Sequence, residues 1–174
     1  MEKPTVKASV VLLVDKDGRV CLARKKQPIH HENGEISYSL GTYNGYGGKM
    51  EESDSTIFDT AIRELQDEAD VFASKEDLKL VARVYFYLKK EDGSFEPFMD
   101  VSFFFLRTWY SDPKEGSEMG PPRFFEQVDI PYDEMMPADS IFFKKMFAGE
   151  RSVYEVKLLG KKVEPEVKVL DEIL

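Results

Sequence analysis

An α+β fold with a mixed β-sheet lying between helices is what this sequence predicts, and three observations carry that reading. Two long stretches, "KASVVLLVDKDGRVCLARKK" and "LKLVARVYFYLKKEDGSFEPFMDVSFFFLRTWY", each read as paired strands around an Asp-Gly turn. Two other stretches carry helical spacing and helix-end residues. No repeat, low-complexity tract or linker divides them, so one domain over residues 1–174 is expected.

In chain order, the first hairpin turns at Lys16-Asp17-Gly18, and alternation makes Cys21 a small buried strand residue. "QPIHHENGEISYSLGTYNGYGG" reads as a long loop rich in Gly, Ser and Asn, and loops of that length are often functional. Within it His30 and His31 would point to opposite sides and are taken as loop residues. The first helix follows, with Ser53, Asp54 or Ser55 as its cap and Asp59 in its early turns, where the dipole favours acid. The second strand pair comes next, then an acidic, Pro-rich loop from Ser111 to Pro122. "RFFEQVDI" reads as a strand. "PADSIFFKKMFAG" reads as a helix, with Asp139 or Ser140 near its start and Gly149 at its end. "SVYEVKLL" and "EVKVLDEI" close the chain as a strand pair.

Composition narrows the function classes. Apolar residues at 42% and aromatics at 13% are enough for a real core and exclude disorder. A single cysteine excludes an intrachain disulfide framework and suits a reducing compartment. The apolar run from Ala8 to Val14 is too short to span a bilayer, so a cytoplasmic protein that does not bind membranes is expected. A net charge of −9 argues against a nucleic acid polymer as partner, because phosphate neutralisation needs clustered Lys and Arg. A small anionic ligand remains compatible if divalent cations stand between the two sets of charge.

The stretch "GGKMEESDSTIFDTAIRELQDEADV" concentrates the chemistry. At about 100° per residue, Glu64, Asp67 and Glu68 share a narrow sector, beside a greasy sector of Phe58, Ile62, Leu65 and Ala69. Like charges at this spacing repel, and no Lys lies between Met50 and Lys75 to soften them. Either the stripe is a solvated acidic face, or it awaits a hard cation such as Mg²⁺ or Mn²⁺. Other phosphate motifs fail. Tyr43 and Met50 stand where a P-loop needs Gly and Ser or Thr, and Met50 stands where a dinucleotide fingerprint needs its third glycine. EF-hand spacing and His-Glu-x-x-His are absent as well.

The same stretch resembles the Nudix box, G-x5-E-x7-R-E-U-x-E-E-x-G-U, with Gly48, Arg63, Glu64, Leu65, Asp67, Glu68 and Val71 on matching positions. "NGYGGK", "FMDVSFFF", "SEMGPP" and "DIPYDEMMPADSIFFKKMFAG" are similar to segments of the 8-oxo-dGTP diphosphatase branch of the Nudix hydrolases, as is the closing strand pair. Only the stretch from Gln27 to Leu40 lies outside the likeness. Three departures stand out. One extra residue separates Gly48 from Arg63, so that the family's early glutamate falls on Asp54 or Ser55. Asp67 replaces a glutamate. Asp70 stands where the family glycine ends the helix left-handed, a conformation that Asp tolerates.

The resemblance implies a Nudix-type α/β/α sandwich and Mg²⁺-dependent hydrolysis of a nucleoside triphosphate, an oxidised purine first, to the monophosphate and pyrophosphate. It implies metal ligands at Gly48, Glu64, Asp67 and Glu68, with Mn²⁺ a possible substitute. It makes Glu68 the first choice for the base that activates water and Glu118 the second, and has Arg63 bracing the site through Asp54. For the substrate it implies Asn44 and Asp139 on the base, Lys25 near the phosphates, and Tyr85, Tyr87, Met99 and Met136 as walls. Met136 takes the place of a stacking tryptophan, and Ala138 that of the first of two adjacent aspartates, of which Asp139 matches the second. A monomer or homodimer is expected. Two alternatives stand beside this reading: a Nudix hydrolase of another nucleoside diphosphate derivative, and a non-catalytic Nudix-like domain that binds a nucleotide or partner.

Overall fold

The computed structural model describes residues 1–32 and 34–173. Strands β1 (Lys7–Val14) and β2 (Val20–Arg24) form the first hairpin, with Gly18 at φ 79° in its turn. Then come the short strands β3 (Ile29–His31), β4 (Gly34–Ile36), β5 (Tyr43–Asn44) and β6 (Tyr46–Lys49), followed by helix α1 (Ile57–Ala69). Strands β7 (Lys79–Lys89) and β8 (Phe95–Leu106) are the long antiparallel pair. Strand β9 (Arg123–Phe125), helix α2 (Asp139–Phe147), and strands β10 (Ser152–Leu158) and β11 (Glu166–Glu172) complete the order.

The main sheet runs β11-β10-β7-β8-β1-β2-β5, with β6 also on β1 and β9 on β2. The β1–β8 and β7–β10 pairs are parallel and the others antiparallel, which makes the sheet mixed. One edge of β1 is shared: Ala8–Val11 pair with β6, and Leu13–Val14 pair with β2.

Both faces of β1 are covered, which is why it reads as an unbroken apolar run. Leu12 and Val14 enter one core with Phe103, Phe142, Phe143 and Met146; Val11 and Leu13 enter the other with Ala61, Leu65 and Phe104. Helix α2 thus covers one face and α1 the other, giving the α/β/α sandwich. Phe142 meets Phe103 edge-on at 5.1 Å and is fully buried, a contribution on the order of 2–3 kcal/mol. Among the described residues, no helix is long and apolar enough to cross a membrane.

Three local expectations need correction. The stretch from Gln27 to Gly48 is not simply a loop: β3 and β4 form a hairpin of their own, and β5 and most of β6 also fall within it, while Asn33 lies outside the described residues. "RFFEQVDI" is a strand for three residues only and then a 3-10 turn at Gln127–Asp129. The cap of α1 is Thr56, not Ser53, Asp54 or Ser55. Its hydroxyl accepts from the Asp59 N–H, and Asp59 accepts from the Thr56 N–H at 2.8 Å, closing a capping box. Asp70 ends α1 at φ 55°, as its left-handed tolerance suggested.

Candidate functional site

The acidic turn of α1 lies against β6, and two glycines of β6 make the approach possible. A Cβ on Gly47 would stand 1.8 Å from the Ser9 carbonyl oxygen, and one on Gly48 would stand 2.5 Å from Glu64 Oε1. With neither present, Glu64 rests against the strand, and Glu68 Oε2 accepts the Gly47 N–H at 2.8 Å. Arg63 holds the outer side. Its Nε and Nη2 donate to the two oxygens of Asp54 at 3.0 and 2.8 Å, Nη2 also donates to the Lys49 carbonyl, and Nη1 donates to Glu64 at 2.8 Å. Asp54 further accepts from the Glu51 N–H and the Thr60 hydroxyl. The Arg63 guanidinium and these donors hold the Asp54 carboxyl well below the usual range. Arg63 therefore joins the loop to the helix.

Glu118 reaches the same place from the 111–122 loop. That loop is stitched to the end of β2 by the Lys25–Met119 bridge, by the Lys26 N–H on the Glu118 carbonyl, and by the Gly120 N–H on the Arg24 carbonyl. Carboxylate oxygens of Glu64, Glu68 and Glu118 lie within 4.8 Å of one another. Burial pushes Glu68 up to about 8; Lys25 and the Gly47 N–H oppose the shift, while Glu64 and Glu118 add to it. Burial also raises Glu64, against the pull of Arg63.

Asp67, expected among the metal ligands, does not join the cluster. Its side chain is 64% exposed, and its nearest cation is Arg63 Nη1 at 3.8 Å. Glu68 follows Glu64 by four residues and stays over β6, whereas Asp67 follows by three and falls on the solvent flank. Two acids of α1 and one from the distant loop make the group.

The cluster forms one end of a cleft of about 520 Å³ that also takes in Ser9, Lys25, Gly48 and His30. Ser9 was not singled out in the sequence. Its hydroxyl is buried and has no partner among the described residues, and its pairing with Gly48 turns it toward α1. An isolated Ser in an apolar strand is the only signal that could have drawn attention to it.

The cleft continues past Val10, Asn44, Met99 and Val101 into an apolar chamber of about 60 Å³. Asp139, the first residue of α2, is 4% exposed there, and its Oδ2 has no partner among the described residues. Burial pushes it up to about 8. Asn44 Oδ1 accepts the Gly45 N–H at 2.9 Å, which leaves the amide NH₂ for a ligand. Met136 lies on the chamber wall.

Tyr85 and Tyr87 do not line the cleft or the chamber. Phe86 pairs with Met99 and faces the chamber, so alternation sends both tyrosines through the sheet to the other side, where Arg83 lies over the Tyr85 ring at 5.2 Å. Phe86, Phe98 and Phe103 are the aromatic walls that the sequence reading missed: Phe86 pairs with Met99, Phe103 follows it by four residues on the same face, and Phe98 sits at the β7–β8 register shift, which sequence alternation does not reveal.

Comparison with known proteins agrees with this architecture. Residues 3–155 match the NUDIX domain family. An oxidized purine nucleoside triphosphate hydrolase of Danio rerio is 30% identical over 169 residues, covering 97% of each chain. Its namesake from Mus musculus is 33% identical over 150 residues, covering 83% of this chain and 85% of the relative. Among solved structures, a MutT protein of Bacillus halodurans superposes with a TM-score of 0.74 at 18% identity, covering 94% of this chain and 97% of its own. A MutT protein of Methanosarcina mazei gives 0.58 at 19% identity, with 85% and 94% covered. These two likenesses concern the fold.

Proposed function

This chain belongs to the NUDIX family of hydrolases, and on that premise we propose that it hydrolyses a purine nucleoside triphosphate to the monophosphate and pyrophosphate. An oxidised purine is the first choice of base, and Mg²⁺ the cofactor. The two relatives named for that substrate class support the reading. The observation that carries it is one cleft with a carboxylate trio at one end and, beyond Asn44, an apolar chamber holding a single buried acid. A polyphosphate suits the first and a base edge the second.

The residues fit a divalent cation. Three carboxylates within 4.8 Å repel one another, burial has already raised Glu68 to about 8, and hard oxygen donors are what Mg²⁺ or Mn²⁺ takes. Glu64, Glu68, Glu118 and the Gly48 carbonyl would hold it, and the bound ion would offset polyphosphate charge and acidify a water. Asp67, turned to solvent, would reach the ion only through water.

Glu68, oriented by the Gly47 N–H and kept ionised by the cation it would help to hold, would take the proton as a water oxygen adds to phosphorus and the P–O bond to the leaving pyrophosphate breaks. Glu118 is the second choice for that proton. Lys25 and the Ser9 hydroxyl face the phosphates, while Asp54 and Arg63 keep the β6–α1 junction rigid. Positioning and electrostatics supply most of the acceleration in such substitutions. At neutral pH Asp139 is a protonated carboxyl, donor and acceptor together, and Asn44 adds NH₂ donors. Both kinds of contact discriminate strongly between bases. Met99 and Met136 cover the ring, a task their polarisable side chains perform without a flat surface. Such an enzyme of the nucleotide pool suits the cytoplasm and acts as a monomer or homodimer.

The test is incubation with a panel of nucleoside triphosphates, oxidised purines included, with and without Mg²⁺. Pyrophosphate released only with Mg²⁺, fastest from purines, is expected. Orthophosphate instead, or no release from any nucleotide, would overturn the proposal.

A further inference from the structure

The β3–β4 hairpin lies beside the site, and the mechanism above does not use it. Among the described residues it forms a two-stranded sheet apart from the main one, with Ile29 opposite Ile36 and His30 opposite Glu35. Its base is tied at one point: the Ile29 N–H donates to Ser39 Oγ at 2.7 Å, and that hydroxyl donates to the Ile36 carbonyl at 2.6 Å. Ser39 is fully buried. The tip rests on the body, since a Cβ on Gly34 would stand 3.2 Å from Leu88 Cδ1.

A side chain on a ribbon that leaves the main sheet is expected to be wet, yet Ile36 is only 3% exposed. It is dry because it closes the chamber that also contains Phe86, Met136 and Asp139. Ile29, its cross-strand partner, borders both the chamber and the polyphosphate end of the cleft.

We propose that the hairpin is the roof of the base chamber and that Ile36, backed by Ile29, sets the size of base the enzyme admits. The inference rests on the nucleotide reading above and narrows it to compact purines, whose ring carries nothing larger than an oxo or amino group. With about 60 Å³ free beneath the roof, a ring edge has room and an alkyl or aryl substituent does not. A methylene in a hydrophobic pocket changes discrimination by roughly 10- to 200-fold, so truncating Ile36 has a measurable effect on the choice of base.

The experiment compares kcat/KM of the parent, Ile36→Val and Ile36→Ala on a compact purine triphosphate and on the same purine with a bulky N6-alkyl group. The bulky-to-compact ratio is expected to rise about tenfold in Ile36→Ala and by a smaller factor in Ile36→Val. Ile36→Val keeps a β-branched side chain and carries the test if the alanine variant fails to fold. Binding of the two corresponding monophosphates, followed by calorimetry, should show the same change of ratio without turnover. An unchanged ratio in an active enzyme overturns the roof and leaves the proposed reaction standing. No hydrolysis by the parent, and no binding of either monophosphate, overturns both.

Discussion

Asp139 is buried with no partner for Oδ2, and its folded-state carboxyl titrates near 8 in place of 3.8. The folded protein therefore keeps a proton that the unfolded chain gives up above about pH 4. Raising the pH draws the equilibrium toward the unfolded state, and stability falls across the window between the two values. At roughly 1.4 kcal/mol per pH unit, the penalty grows to about 4 kcal/mol by pH 7 and levels off above pH 8. Asp139→Asn keeps the shape and removes the proton. Urea unfolding of parent and variant at pH 5, 6, 7 and 8 gives the difference curve directly. Glu68 titrates in the same range but is present in both proteins, so it cancels. Tyr132, the neighbouring ionisable group, is itself raised to about 12 and stays neutral throughout. The parent is expected to lose roughly 1.4 kcal/mol relative to Asp139→Asn for each unit between pH 5 and 7, and less between pH 7 and 8. Parallel curves would refute the reasoning.

The other expectations concern the acidic end. Asp67→Asn should change turnover by less than about threefold, whereas Glu68→Gln should lower kcat by about 10²–10⁴ in a protein whose circular dichroism is unchanged. Equal losses from the two would remove the distinction the geometry draws. Arg63→Lys keeps the charge but abandons the fork on Asp54, Glu64 and the Lys49 carbonyl, and should destabilise the fold by about 2 kcal/mol in urea unfolding. Gly47→Ala sets a methyl against the Ser9 carbonyl and should destabilise by about 3 kcal/mol, with β1 and β6 forced apart; wild-type stability would show that the close approach is not needed.

What the sequence made legible were features that declare themselves over short range. Asp-Gly turns, unbroken apolar strands and the two-sided composition of α1 give the sandwich and place Glu64 and Glu68 together. The misses depend on contacts made across the fold. Thr56 caps α1 because Asp54 is already committed to Arg63, nine residues on. The angle that groups Asp67 with its neighbours says nothing of which flank meets β6. In Tyr-Phe-Tyr, parity cannot be told from residue types alone; register against Met99 turns Phe86 inward and both tyrosines away. The β3–β4 hairpin has only three residues per strand, too few for alternation to rise above its polar surroundings, and it takes Ser39 and the chamber to order it.

The central claim is that Glu64, Glu68 and Glu118 together bind a divalent cation. Thermal melting with rising Mg²⁺ or Mn²⁺ tests it most directly. Saturation near a hundredfold over Kd stabilises by about 2.7 kcal/mol, so Tm is expected to rise by roughly 5–10 °C. The rise should be absent in Glu64→Gln and reduced in Glu118→Gln. A Tm that ignores both metals in the parent, or rises equally in all three proteins, would contradict the account.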